Sequence, residues 1–134
     1  MTTFIDTSAL YALLDEDDVN HRQASDGLRA LRGRPLVTHG YVIVETLALV
    51  GRRLPWPATK RLIDVFLPLI DVSTVDDELH RSAATAYREA GSAVVSFVDR
   101  TSFAFMRAQG IDRAFAFDDD FARQGFELVS RPPG

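Results

Sequence analysis

The sequence predicts an α/β fold in which four to five short strands form a parallel sheet flanked by helices. Short apolar runs alternate with longer stretches of helical periodicity, and Gly, Pro or an acidic turn separates most of them. The length, 134 residues, matches one domain spanning residues 1–134, with chain enough to bury a core without staples. No repeat, linker or low-complexity stretch divides it.

Residues 3–5 are apolar and are closed by Asp6-Thr7-Ser8, after which Ala9, Leu10, Leu13 and Leu14 follow at helical spacing. The acidic patch 15–18 breaks that pattern, and Asp18 is placed to cap a second helix running to about Leu31. Gly33, Arg34 and Pro35 end it ahead of a second strand at 36–38. The run 41–50 begins with strand-like residues, but its length and its central Glu45 favour a buried helix, apolar nearly all round. Pro55 and Pro57 introduce a further helix to about Leu67, stopped by Pro68, and a third strand is expected at 69–72. Thr74-x-x-Asp77 reads as a capping box for the helix that carries Leu79, Ala83, Ala86 and Ala90 and ends at Gly91. Ser96 caps the next helix, which ends at Gly110. Strands at 114–117 and 127–129 complete the sheet, and the last four residues, Arg131-Pro-Pro-Gly, are expected to fray.

Composition narrows the chemistry. There is no Cys, which excludes disulfides, Cys-based zinc sites and thiol catalysis, and three scattered His do not make a His-rich site. A metal would be held by oxygen, which points to Mg²⁺ or Mn²⁺. The amino terminus has no signal-peptide pattern and no run reaches the ~20 apolar residues of a membrane span, so a soluble, cytoplasmic protein is expected. The net charge of −4 argues against a simple nucleic-acid binder, yet of fifteen basic residues only Lys60 is not Arg. Guanidinium forks suit phosphate recognition, and a GC-rich coding bias explains the same count.

Four acids interrupt apolar surroundings. Asp6 stands at a predicted strand end, where capping the next helix is the simplest role. Glu45 sits among Val44, Leu47, Ala48 and Leu49, with no cation nearer in sequence than Arg52 and Arg53. Burying it alone would cost several kcal/mol, so it needs a distant Arg or a metal. Asp99 lies between Val98 and Phe103 on a first helical turn, where the helix dipole also favours it. Asp118, Asp119 and Asp120 are wedged between Phe117 and Phe121; Asp118 is expected to point inward, Asp120 to be a weaker second and Asp119 to face water. Carboxylates brought together repel, and a cation makes the arrangement tolerable. The implied chemistry is metal-assisted attack of water on a phosphodiester.

Phe4-Ile5-Asp6-Thr7-Ser8-Ala9-Leu10, Glu45-Thr46-Leu47, Ser96-Phe97-Val98-Asp99 and Ala116-Phe117-Asp118-x-x-Phe121, in that order, resemble the PIN-domain family, and within it the VapC-type ribonuclease toxins of type II toxin–antitoxin systems. The resemblance spans almost the whole chain. It implies a three-layer α/β/α sandwich and a Mg²⁺- or Mn²⁺-dependent endoribonuclease whose acidic quartet falls on Asp6, Glu45, Asp99 and Asp118, with Asp120 as a further metal-proximal acid. Thr7 and Ser8 match polar positions where a hydroxyl orients a carboxylate, and His21 follows a helix-start signature in a structural role. Ala116 departs from the pattern, since many members carry Thr there. The resemblance further implies a structured RNA substrate, an rRNA or a tRNA loop, a homodimer, and a cognate antitoxin whose carboxyl-terminal tail enters the acidic groove. Trp56, between two prolines, is expected in the core, with an exposed apolar contact as the other reading. Arg22, Arg29 and Arg32 are expected on a solvated face, while Arg52, Arg53 and Arg100 could fall nearer the acids.

Two other readings compete. A phosphoaspartate switch also places acids at strand ends, but it needs a Lys late in the chain, and Lys60 is the sole Lys. A non-catalytic PIN domain that binds RNA or a partner is the alternative, and the intact quartet weighs against it.

Overall fold

A computed structural model describes residues 1–129 of the chain. Its sheet is wholly parallel, with strands β1 (Thr3–Ile5), β2 (Leu36–His39), β3 (Asp71–Ser73), β4 (Arg113–Phe115) and β5 (Glu127–Leu128) in the order β3-β2-β1-β4-β5. Central β1 pairs Phe4 with Val37 on one side and with Ala114 on the other. The chain steps outward from β1 through β2 to β3, then crosses back to β4 and continues to β5. The order therefore switches between β1 and β4, and the crevice at their carboxyl ends is where ligands bind in such sheets.

Crossover handedness sets the layers. Two steps in one direction place α1 (Thr7–Leu14), α2 (His21–Ala30), α3 (Gly40–Arg53) and α4 (Trp56–Arg61) on one face. The return steps place α5 (Asp77–Ala90), α6 (Phe97–Gln109) and α7 (Asp120–Arg123) on the other. The expected α/β/α sandwich is borne out. Its core is aromatic along β1: the fully buried Phe4 ring lies 5.9 Å from Phe105 and 5.9 Å from Phe121, and Phe103 meets Phe121 edge-on at 5.0 Å. Each such side chain contributes about 1.5–3 kcal/mol on burial, which holds α6 and α7 firmly to the sheet. Gly91 and Gly110 end α5 and α6 in the left-handed conformation, at φ 63° and 68°.

Several elements differ from expectation. α2 begins at His21 rather than at Asp18, whose Oδ1 instead accepts the Asn20 N–H at 2.8 Å in a local turn. The cap of α5 is Asp76, accepting from the Leu79 N–H at 2.8 Å, so Thr74 and Asp77 do not form the box. After Arg61 the chain runs through a π turn (Leu62–Phe66) and a 3₁₀ turn (Leu67–Leu69), and it does not continue as one helix. The third strand starts two residues late, β2 continues to His39, and β4 and β5 are shorter than expected.

α3 is not apolar all round in burial. Val42, Thr46 and Val50 form its buried stripe, while Val44 is 67% exposed and Ala48 is exposed. An apolar composition does not say which face the sheet covers. Trp56, between two prolines at the start of α4, is 69% exposed, against the core role expected for it. The frayed end expected at 131–134 lies outside the described residues.

Candidate functional site

Asp6 follows β1 directly. Its N–H donates to the Phe115 carbonyl at 3.0 Å, tying the first turn of α1 to the end of β4. The Oδ2 atom accepts from the Ser8 N–H at 3.1 Å and from Ser8 Oγ at 2.7 Å, so Asp6 is indeed the cap of α1. Ser8 Oγ in turn accepts the Phe117 N–H at 3.0 Å. One hydroxyl thus fixes both the Asp6 carboxylate and the turn that carries Asp118. The other oxygen, Oδ1, is buried and has no hydrogen-bond partner among the described residues. Burial raises Asp6 from 3.8 to about 6; the Ser8 bonds oppose that, and the charges of Glu45 and Asp118 add to it.

Thr7 does something different from Ser8. Its hydroxyl and that of Thr46 bond each other at 3.0 Å, both buried, and Thr46 donates to the Val42 carbonyl at 2.7 Å. α1 is pinned to α3 one residue from Glu45, which is half-buried at the edge of its helix. Asp99 lies on the first turn of α6, whose cap Ser96 accepts the Asp99 N–H at 3.0 Å. Its carboxyl is raised to about 8, by burial first and then by the charges of Asp6, Asp118 and Glu45. Asp118, half-buried three residues beyond β4, is also raised, chiefly by burial, and its Oδ1 accepts the Asp120 N–H at 2.9 Å.

Asp99, Asp118 and Asp120 each offer a carboxylate oxygen, and these atoms lie within 4.8 Å of one another. Asp120 is therefore placed in the cluster more centrally than expected, although it also pairs with Arg123 at 2.8 Å. Among the described residues no Lys or Arg forms an ion pair with Asp6, Glu45, Asp99 or Asp118. Asp6 and Glu45 fall outside that three-residue group, although their charges raise Asp99. Carboxyls that raise one another's proton affinity suit a metal ion held by oxygen donors.

A PIN-domain family model matches residues 3–127. The chain belongs to the PIN-domain family. This PIN domain is 36% identical over 127 residues to the 23S rRNA-specific endonuclease VapC20 of Mycobacterium tuberculosis, covering 94% of this chain and 96% of the relative. The crystal structure of that VapC20, described as a Sarcin-Ricin loop cleaving toxin, superposes with a TM-score of 0.83 at 34% identity, over 92% of this chain and 95% of the other. VapBC2 from Rickettsia felis, bound to a DNA fragment from its promoter, superposes with a TM-score of 0.70 over 96% and 97% of the two chains; at 13% identity it shows the shared fold alone. The expected family resemblance is borne out.

In this PIN domain, His21 Nδ1 lies 2.7 Å from the Ala12 carbonyl, joining α2 to α1 in a structural contact. Arg22, Arg29, Arg32, Arg52 and Arg53 are exposed, and Arg100 is half-buried. No helix is long and apolar enough to cross a membrane. The buried His39–Ser102 pair went unread in the sequence: His39 Nε2 meets Ser102 Oγ at 2.9 Å, and Ser102 donates to the Val98 carbonyl at 3.0 Å. His39 Nδ1 accepts the Tyr41 N–H at 3.2 Å, which caps α3. Neutral His39 therefore links the start of α3 to the first turn of α6, the two elements that carry Glu45 and Asp99. The available signal was a His at a strand end just before a Gly-led helix.

Proposed function

We propose that the chain, acting as a single domain, is a VapC-type endoribonuclease toxin that hydrolyses a phosphodiester in a structured rRNA loop. The convergence of Asp99, Asp118 and Asp120 within 4.8 Å carries this reading, and the likeness to a 23S rRNA-specific endonuclease favours rRNA over tRNA.

Asp6, Asp99 and Asp118, with Asp120 beside them, would hold Mg²⁺ or Mn²⁺ through the unpartnered Asp6 Oδ1 and the clustered oxygens. When bound, the ion supplies a water of lowered pKa and offsets charge building on the phosphate. Glu45, half-buried and in no ion pair among the described residues, is the acid left to orient the attacking water and accept its proton. Ser8 holds Asp6 in its rotamer, and Ser96 fixes the turn that presents Asp99. Asp6 and Asp99 are both buried, which keeps bulk water from one side of the site.

The partners proposed are a second copy of the chain and a cognate antitoxin, whose tail would offset the unpaired acids with an Arg. Action in the cytoplasm follows from an rRNA substrate. In the decisive assay, the purified protein freed of antitoxin cuts a sarcin-ricin hairpin RNA with Mg²⁺ or Mn²⁺ and not in chelator, while Asp99→Asn and Glu45→Gln do not cut. Cleavage surviving in both variants sinks the reading. RNA binding without turnover at any metal concentration would favour the non-catalytic alternative.

A further inference from the structure

Four rings gather beside the acids and take no part in the chemistry above. Tyr41 opens α3, His80 and Tyr87 lie on α5, and Phe97 opens α6. Phe97 is the hub, with its centroid 6.1 Å from Tyr41, 5.5 Å from His80 and 5.7 Å from Tyr87. Tyr41 Oη and His80 Nδ1 are hydrogen-bonded at 2.6 Å, which holds the phenol in place. His39 supports Tyr41 edge-on at 6.0 Å and joins the group to the core. The core aromatics Phe4, Phe103, Phe115 and Phe121 are at most 2% exposed. By contrast Tyr41, Tyr87 and Phe97 are half-buried and His80 is exposed. This cluster is a surface feature.

Its position ties it to the acids. Tyr41 and Glu45 are four residues apart on α3, hence on one face and about 6 Å apart along the axis. Phe97 and Asp99 share the first turn of α6. The two helices meet ring to ring at Tyr41 and Phe97, four residues from Glu45 on one and two from Asp99 on the other.

We propose that Tyr41 and Phe97, braced by His80 and Tyr87, form a stacking surface for one unpaired nucleobase next to the scissile phosphate. The inference rests on the ribonuclease reading and adds how the RNA is gripped. An acidic centre repels the RNA backbone, and a stacking contact beside it attracts RNA without relying on charge. A π face meets that need, because every base offers one and RNA loops present bases already unstacked. Aromatic packing of α5 on α6 alone would not require Tyr41 from a third helix.

The test measures KM and kcat in Mn²⁺ for wild type, Phe97→Leu and Tyr41→Leu, leucine keeping the apolar bulk. The substrates are a sarcin-ricin hairpin and a set of hairpins with one abasic nucleotide at each loop position. Each leucine variant should raise KM about tenfold with kcat within about twofold. One abasic position should raise the wild-type KM by a similar factor and add nothing further in Phe97→Leu. The surface is refuted if wild type cuts RNA but no abasic position couples to Phe97, or if the leucine variants keep the wild-type KM. A wild type that neither binds nor cuts the hairpin overturns both the surface and the ribonuclease reading. Melting curves separate lost folding from lost stacking, and Phe97→Tyr should restore KM only if a ring is what matters.

Discussion

Asp99→Asn offers a test of the acid cluster that needs no RNA. In the folded protein the Asp99 carboxyl is raised from 3.8 to about 8, so near neutral pH without metal it keeps a proton that the unfolded chain releases. Between about pH 4 and 8 the native state thus binds more protons, and unfolding free energy falls as pH rises. This contribution is complete below pH 3.8 and lost as pH passes through 8. At 1.36 kcal/mol per unit the whole shift is roughly 6 kcal/mol. Burial is the largest cause and belongs to Asp99, while the repulsion is shared with Asp6, Asp118 and Glu45, so about half, ~2–3 kcal/mol, is assigned to Asp99 itself. Asn resembles the protonated acid in shape and can donate a hydrogen bond, so the variant should lose nothing at pH 4. At pH 8 in chelator it should gain ~2–3 kcal/mol, on the order of 10 °C in melting temperature. Added Mn²⁺ should raise the wild-type melting temperature by mass action and raise that of the variant far less. The measurement is a set of melting curves from pH 4 to 8, with chelator and with Mn²⁺. An Asp99→Asn protein with the wild-type pH slope and the wild-type response to Mn²⁺ would refute the reasoning.

The remaining predictions concern the supports of the site. Ser8→Ala removes the hydroxyl that joins Asp6 to the Phe117 N–H, and should cost about 1–3 kcal/mol in urea unfolding while weakening Mn²⁺ binding by calorimetry. Asp120→Asn should lower Mn²⁺ affinity with little loss of stability; unchanged affinity would remove Asp120 from the cluster. Burial holds His39 down at about 4 from its usual 6.5, so its stabilising contribution is present above pH 6.5 and lost as pH falls toward 4. That acid loss is worth about 3 kcal/mol at 1.36 kcal/mol per unit, and His39→Gln, which can still donate to Ser102, should abolish it in melting curves over that range. Gly110→Ala should cost about 1 kcal/mol, because an L residue is strained at φ 68°.

Much of the site was legible because its residues break local rules. Asp6, Asp99 and Asp118 each stand where an apolar run should continue, and such violations mark functional positions. The Ser96 cap and the Gly110 stop were equally local and were read correctly. Glu45 was singled out as a desolvated carboxylate, and that reason is partly mistaken: α3 exposes Val44 and Ala48, so the helix does not desolvate it all round. Asp120, expected as the weaker second, lies within 4.8 Å of the Asp99 and Asp118 oxygens, a placement that a run of three acids does not show until α7 begins. The cap of α5 was misplaced by two residues because Thr74 and Asp76 both suit that role, and backbone geometry chooses between them.

The chain's order of apolar runs, caps and glycines by itself determined a parallel α/β architecture and a short list of acids. Those signals act over a few residues, where periodicity and capping chemistry are written directly. Only the tertiary structure decided that β1 and β4 are neighbours at the point where strand order switches. That adjacency closes gaps of about a hundred residues, through Asp6 on Phe115 and Ser8 on Phe117, so that charges far apart in sequence raise one another's proton affinity. It also decided which apolar side chains stay in water, leaving Trp56 and Val44 outside, because burial depends on the face another element covers.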